Sequence, residues 1–185
     1  MYSKQLFNLS RRGFTASIYN YTSASNPRVF LSVANGDQVL GDLVFELYAN
    51  RVPQTAENFA ALCEGTTDGR GYAGSSFVKG FPGGVIQGGR LGEENVGADG
   101  ARFPDEDLSL RHTKRGQLTM YNNGENSNGS EFQITFGEAR YLDGYQSVFG
   151  ELVEGESVLA KLEESVNRLG QVTGELKIVA SGLKQ

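Results

Sequence analysis

The sequence predicts a mainly β fold, an eight-stranded closed antiparallel barrel capped by two α-helices and preceded by an N-terminal basic tail. Three observations carry that expectation. From Arg28 onward short apolar runs recur, divided by turn residues drawn from the chain's 25 glycines. Only two stretches have helical spacing. Eight short strands with so few helices call for a sheet closed on itself, because closure removes the exposed edges that otherwise recruit other chains.

The elements follow in order. Val29, Leu31 and Val33 alternate with Phe30 and Ser32, Asn35-Gly36 marks a hairpin, and Val39 to Leu47 forms a second alternating run. Pro53 then stands where a first helical residue belongs, since its missing N–H costs nothing there. Phe59, Leu62 and Cys63 continue at helical spacing to a stop before Gly65. The single cysteine, Cys63, lies in that helix and reads as a small buried hydrophobe. Further strands are expected at 76–79, 85–88, 116–121, 132–136, 147–152 and 177–183. Between the last two, Val158, Leu162, Val166 and Leu169 predict a helix over 157–169, capped by Ser157.

Composition limits the function classes. A chain of 185 residues buries one core. No apolar run approaches the roughly 20 residues needed to span a bilayer, so no transmembrane segment is expected. The net charge of −5 hides an asymmetry: residues 1–36 hold Lys4, Arg11, Arg12 and Arg28 and no acid, leaving all 22 acidic side chains to the rest. A domain so acidic lacks a phosphate-binding footprint, and nucleic-acid binding by the core is not expected. Residues 1–26 join Arg and Lys to frequent Ser and Thr and to Leu6, Phe7, Leu9, Phe14 and Ile18. That is the composition of a mitochondrial targeting segment. The chain therefore divides into a tail at 1–26 and a domain at 27–185, with the mitochondrion as the expected location, in the matrix or on the matrix side of an inner-membrane complex.

The motifs VPQTAENFAALCEG, GYAGSSF, FPDEDLSLRHT, NGSEFQITF and LDGYQSVFG, with GGVIQGG at Gly83 to Gly89, occur in an order and spacing that resembles the cyclophilins, the barrel-shaped peptidyl-prolyl isomerases. The resemblance runs from about Arg28 to Leu183 and implies an eight-stranded barrel with a helix over each open end. It also implies a substrate site. Lys79, Gln87 and Asn122 stand at catalytic positions, and Gly84, Val85, Tyr121, Gln133, Tyr141, Leu142 and Gln146 at substrate-binding ones. Lys79 takes the place of the family's arginine. Gly84, Val85 and Gln133 replace a phenylalanine, a methionine and a second phenylalanine, and Tyr141 and Gln146 replace a tryptophan and a histidine. Gln87 and Asn122 serve either a peptide backbone or the barrel's own loops.

Prolyl isomerisation breaks no bond; it turns a C–N bond past a barrier of roughly 18–20 kcal/mol. A site lowers that barrier by gripping the ring in an apolar pocket and offering a donor to the nitrogen as it becomes pyramidal. Lys79 keeps the charge of an arginine without its planar fork, and the pocket substitutions remove apolar contact, so weak activity or none is expected. No cofactor or metal is expected: Cys and His do not cluster, no Gly-rich loop precedes Lys and Ser or Thr, and no Ser elbow has a partnered histidine. The acidic runs at Glu93-Glu94 and Asp105-Glu106-Asp107 read as solvated loops, and His112 as a framework residue. Two functions compete. One is a catalytically impaired structural subunit of a large mitochondrial assembly, a respiratory complex or the mitoribosome, with proteins as partners. The other is an active mitochondrial isomerase acting on proline-containing segments during folding. A peptide-binding module without turnover is a variant of the first.

Overall fold

Alternation of inward and outward residues builds the sheet. In the computed structural model, which describes residues 26–184, β1 (Arg28–Asn35) and β2 (Gln38–Leu47) form the predicted hairpin, turning at Gly36 with a left-handed φ of 57°. The segment before Asn26, to which the targeting expectation applies, lies outside the described residues. Helix α1 (Pro53–Glu64) follows, then β3 (Phe77–Gly80), β4 (Val85–Gly88), β5 (Gln117–Met120), β6 (Phe132–Thr135), β7 (Val148–Glu154), α2 (Glu156–Glu164) and β8 (Leu176–Lys184). The strands pair antiparallel in the order β3-β4-β6-β5-β7-β2-β1-β8. Bridges from the β3 side to β8 bring the sheet nearly to closure: Ser76 pairs with Lys177, and the Ile178 amide donates to the Ser75 carbonyl at 2.9 Å.

Every second strand residue enters one core. Val29, Leu31 and Val33 of β1, Leu43, Phe45 and Leu47 of β2, Leu118 and Met120 of β5, and Phe132 and Ile134 of β6 are all fully buried there. Helix α1 adds Phe59, whose ring lies 4.9–5.1 Å from those of Tyr72, Phe132 and Phe149. Cys63 is buried in the same core, as its place in the sequence predicted. Helix α1 has no capping side chain of its own. Glu106 supplies it from across the chain, its carboxylate accepting from the Gln54 amide at 3.1 Å and from the Thr55 amide and hydroxyl at 2.9 Å each.

Two expectations about α2 need correction. Its N-cap is Gly155, not Ser157, at a left-handed φ of 103°. A Cβ there would run into the Asp42 carbonyl oxygen, so close approach to β2 decides the residue. The helix also stops at Glu164 rather than reaching Leu169. Val166 is buried as predicted, but as a bridge partner of Val172 beyond the helix. Asn167 then makes a turn, its Oδ1 accepting from the Leu169 and Gln171 amides, and leaves Leu169 exposed. The bridge thus keeps Val166 buried without a helix, while the turn takes Leu169 out of the predicted apolar face.

Candidate active site

Of the predicted residues, Lys79 lies on β3, Val85 and Gln87 on β4 and Gln133 on β6, while Gly84, Tyr121, Asn122, Tyr141, Leu142 and Gln146 lie in the connections between strands. Lys79 is paired with Gln87, Gln87 with Gln133, and Gln133 with Thr119. Directly opposed residues share a face, so these four side chains form one row across the sheet, about 5 Å apart at their Cβ atoms. Phe132 and Ile134 beside Gln133 face the core instead. One step along the same face lie Val85, opposite Thr135, and Glu131, two residues before Gln133.

Lys79 reaches into this groove. Its ammonium lies 5.0 Å from the centroid of the Tyr121 ring, a cation–π contact on the far side of the amide row. Gln87 is held by Glu131, donating through Nε2 to the carboxylate, with the Arg90 guanidinium 3.6 Å from the other oxygen. Glu131 is 97% buried. The sequence reading assigned Glu131 no role; the period-two spacing to Gln133 was the available signal. Asn122 braces loops, its Nδ2 donating to the Tyr145 carbonyl at 3.1 Å and lying 3.4 Å from Asp105 Oδ1.

Gln133, which the resemblance sets at the pocket floor, keeps its carboxamide oxygen buried and, among the described residues, unpartnered. The residue is only 6% exposed. The Oε1 atoms of Gln87 and Gln146 are in the same condition. Gly84 offers no side chain to the wall; a Cβ there would lie 3.4 Å from the Tyr141 hydroxyl, so the tyrosine leans over the vacated position. Tyr141 itself is largely exposed, with its phenol pKa raised by partial burial.

Tyr141 and Leu142 sit on a 3₁₀ turn at Arg140–Leu142 that His112 holds in place. The Ala139 amide donates to the His112 carbonyl at 3.0 Å, and Asp143 Oδ1 accepts from the His112 amide at 2.8 Å and from Nδ1 at 2.9 Å. Nε2 contacts the Thr119 hydroxyl at 3.0 Å. Burial lowers the His112 pKa against the pull of Asp143, so the neutral ring, protonated on Nδ1, accepts from Thr119. Hydrogen bonds from the His112 backbone and ring hold the Asp143 carboxyl below its usual range. His112 is thus the framework residue its context predicted, one contact removed from the amide row.

Of the two acidic runs, Glu93-Glu94 is exposed as expected, whereas the second is engaged: Glu106 caps α1, and Asp105 accepts from the Asn128 side chain at 2.8 Å and the Asn126 amide at 2.9 Å. A separate cleft of about 550 Å³ is lined by Tyr48, Arg51, Arg111 and Lys114 among others and includes none of the predicted site residues. Its cations are paired with Asp107, Asp143 and Glu151.

A nearly closed antiparallel barrel thus carries Lys79, Gln87 and Gln133 in one row on its outer face. The match to known proteins is specific. Residues 30–182 fit the family described as cyclophilin type peptidyl-prolyl cis-trans isomerase/CLD. A peptidyl-prolyl cis-trans isomerase of Encephalitozoon cuniculi is 42% identical over 148 residues, covering 78% of this chain and 86% of that protein. The chain belongs to the cyclophilin-type peptidyl-prolyl isomerase family.

Proposed function

We propose that this chain is a cyclophilin with strongly reduced prolyl isomerase activity that acts by holding protein segments, as a subunit of a mitochondrial assembly such as a respiratory complex or the mitoribosome. The observation that carries the reading is the buried carboxamide oxygen of Gln133, unpartnered among the described residues, at the position the resemblance gives to the pocket floor. A proline ring placed there would bury that amide further without offering it a hydrogen bond. Gly84 removes contact from the wall, and Lys79 brings one ammonium where the family has a planar fork of donors. The mitochondrial part of the proposal rests on the acid-free, basic composition of residues 1–26.

A second reading, an active mitochondrial isomerase that assists folding, draws on two observations. Lys79 does reach the groove, and the relative from Encephalitozoon cuniculi is named as an isomerase. Exchange on an X-Pro peptide, followed by NMR with the full-length chain and with Lys79→Ala as a control, separates the two. The uncatalysed reaction takes tens to hundreds of seconds, so weak catalysis is measurable. No acceleration at high protein concentration is expected; acceleration abolished in the control would establish the isomerase instead. Native fractionation of mitochondrial extracts tests the assembly: migration as a free 20 kDa chain, or absence from the organelle, would remove that half of the proposal.

A further inference from the structure

An asparagine followed by glycine is chemically labile, because the glycine amide nitrogen has no neighbouring Cβ to keep it from closing on the asparagine carboxamide carbon. The sequence holds three such steps: Asn35-Gly36, Asn123-Gly124 and Asn128-Gly129. The fold protects two of them. Asn35 is held at the end of β1, its Oδ1 accepting from the Glu175 amide at 3.0 Å. The nitrogen that would attack it, that of Gly36, already donates to the Glu175 carbonyl at 3.1 Å. Asn128 is buried and bridges Phe103, and its Nδ2 donates to Asp105 Oδ1 at 2.8 Å. Gly129 beside it packs so tightly on Asn95 that the backbone there has no room to turn.

The third step lies open. Asn123 and Gly124 are both exposed, in the loop that carries the candidate site residues Tyr121 and Asn122. Gly124 stands at a φ of 136°, and nothing lies within 4 Å of where a Cβ would be. Its amide donates to no group among the described residues. The Tyr121 hydroxyl donates to Asn123 Oδ1 at 3.0 Å. A donor at that oxygen stabilises the negative charge it gains when a nitrogen adds to Cγ.

We infer that Asn123 is a site of spontaneous deamidation, and that the reaction places a carboxylate beside the Lys79–Tyr121 contact of the candidate site. The Gly124 nitrogen gives its proton to hydroxide and bonds to Asn123 Cγ. The side-chain nitrogen takes a proton from water and leaves as ammonia, which closes a succinimide. Water then opens the ring at either carbonyl to give aspartate or isoaspartate. Each product carries one negative charge where the Tyr121 hydroxyl now meets a neutral amide, and the Lys79 ammonium lies 5.0 Å from the centroid of that tyrosine ring. Isoaspartate also lengthens the main chain of the loop by one methylene. The inference is independent of whether the groove turns over proline.

The full-length chain is aged in mildly alkaline buffer, with and without urea, and its proteolytic peptides are read by mass spectrometry. In the folded chain Asn123 should deamidate about tenfold or more faster than Asn35 or Asn128, since those two react only after local opening. In urea that preference should be lost, because it comes from the fold. Native rates at Asn35 or Asn128 equal to that at Asn123 overturn the inference, as does an Asn123 that stays intact in the folded chain while it reacts in urea. Tyr121→Phe should slow the native reaction; an unchanged rate overturns the assistance assigned to the phenol. The consequence is read on ¹⁵N-labelled Asn123→Asp, whose Lys79 and Tyr121 amide shifts should move relative to the native chain. Shifts confined to 123–127 would overturn the link to the candidate site.

Discussion

Replacing Gln133 by leucine should stabilise the protein. Most substitutions of buried residues destabilise, so the opposite sign is a demanding expectation. The Gln133 side chain is almost fully buried, and its Oε1 has no partner among the described residues. An unmade buried hydrogen bond costs about 1–3 kcal/mol, whereas an apolar group of similar shape carries no such cost. Leucine fills much of the same volume, so the cavity and overpacking terms are small. The net expectation is a gain of about 1–2 kcal/mol, or roughly 2–8 °C in Tm for a domain of this size. Urea unfolding of the full-length chain measures it as a shift in midpoint at constant slope. Gln87→Leu is the matched comparison with the opposite sign. That change strips the buried Glu131 carboxylate of a donor and should cost about 1.5–3 kcal/mol. If Gln133→Leu destabilises by 1 kcal/mol or more, the amide has a partner in the folded state and the argument built on its isolation fails.

Further outcomes are specified by other parts of the molecule. Glu106→Ala removes two backbone-amide bonds and a negative charge from the first turn of α1. It should cost about 1–2 kcal/mol in urea unfolding, and Glu106→Gln should recover part of that. Gly155→Ala forces a Cβ onto the Asp42 carbonyl at a left-handed φ and should lower the thermal midpoint by more than any of these. His112 is kept neutral by burial, so its folded pKa lies below the unfolded value of 6.5 and the unfolded chain takes up the proton first. Its contribution is therefore complete above about pH 6.5 and is lost as the pH falls from there to the lowered folded value. Stability measured from pH 7.5 down to 5.5 should decline, and the decline should flatten in His112→Gln. Lys79→Arg restores a planar donor and should raise X-Pro exchange if the groove admits proline at all; no change would place the obstruction at Gln133 and Gly84.

The barrel was legible because alternation is a local signal. Val29, Leu31 and Val33 announce an inward face without reference to anything else, and Asn35-Gly36 announces the turn after them. The candidate site residues follow from the resemblance, and the structure brings Lys79, Gln87 and Gln133 into one row. What escaped the sequence depends on distant contact. Glu106 looked like one acid in a solvated run, because the amides it caps are about fifty residues away. Glu131 looked unremarkable until Gln87 and Arg90 closed on it. The second helix was read too long because Val166 keeps its burial through a bridge to Val172, an arrangement helical spacing does not distinguish from another turn of helix.

The same alternation separates the residues that hold the fold from those of the candidate site. On β6, Phe132 and Ile134 enter the core, while Glu131, Gln133 and Thr135 face the groove side of the sheet. Substitution at Gln133 therefore leaves the Phe59, Tyr72 and Phe132 ring cluster untouched. On β4, Ile86 is core, while Val85 and Gln87 face outward. The core positions answer to packing and are held by it. The groove positions answer only to what occupies the groove, apart from local bonds such as that between Gln87 and Glu131. Family membership, which rests on framework and core, thus constrains the barrel far more tightly than it constrains the guest.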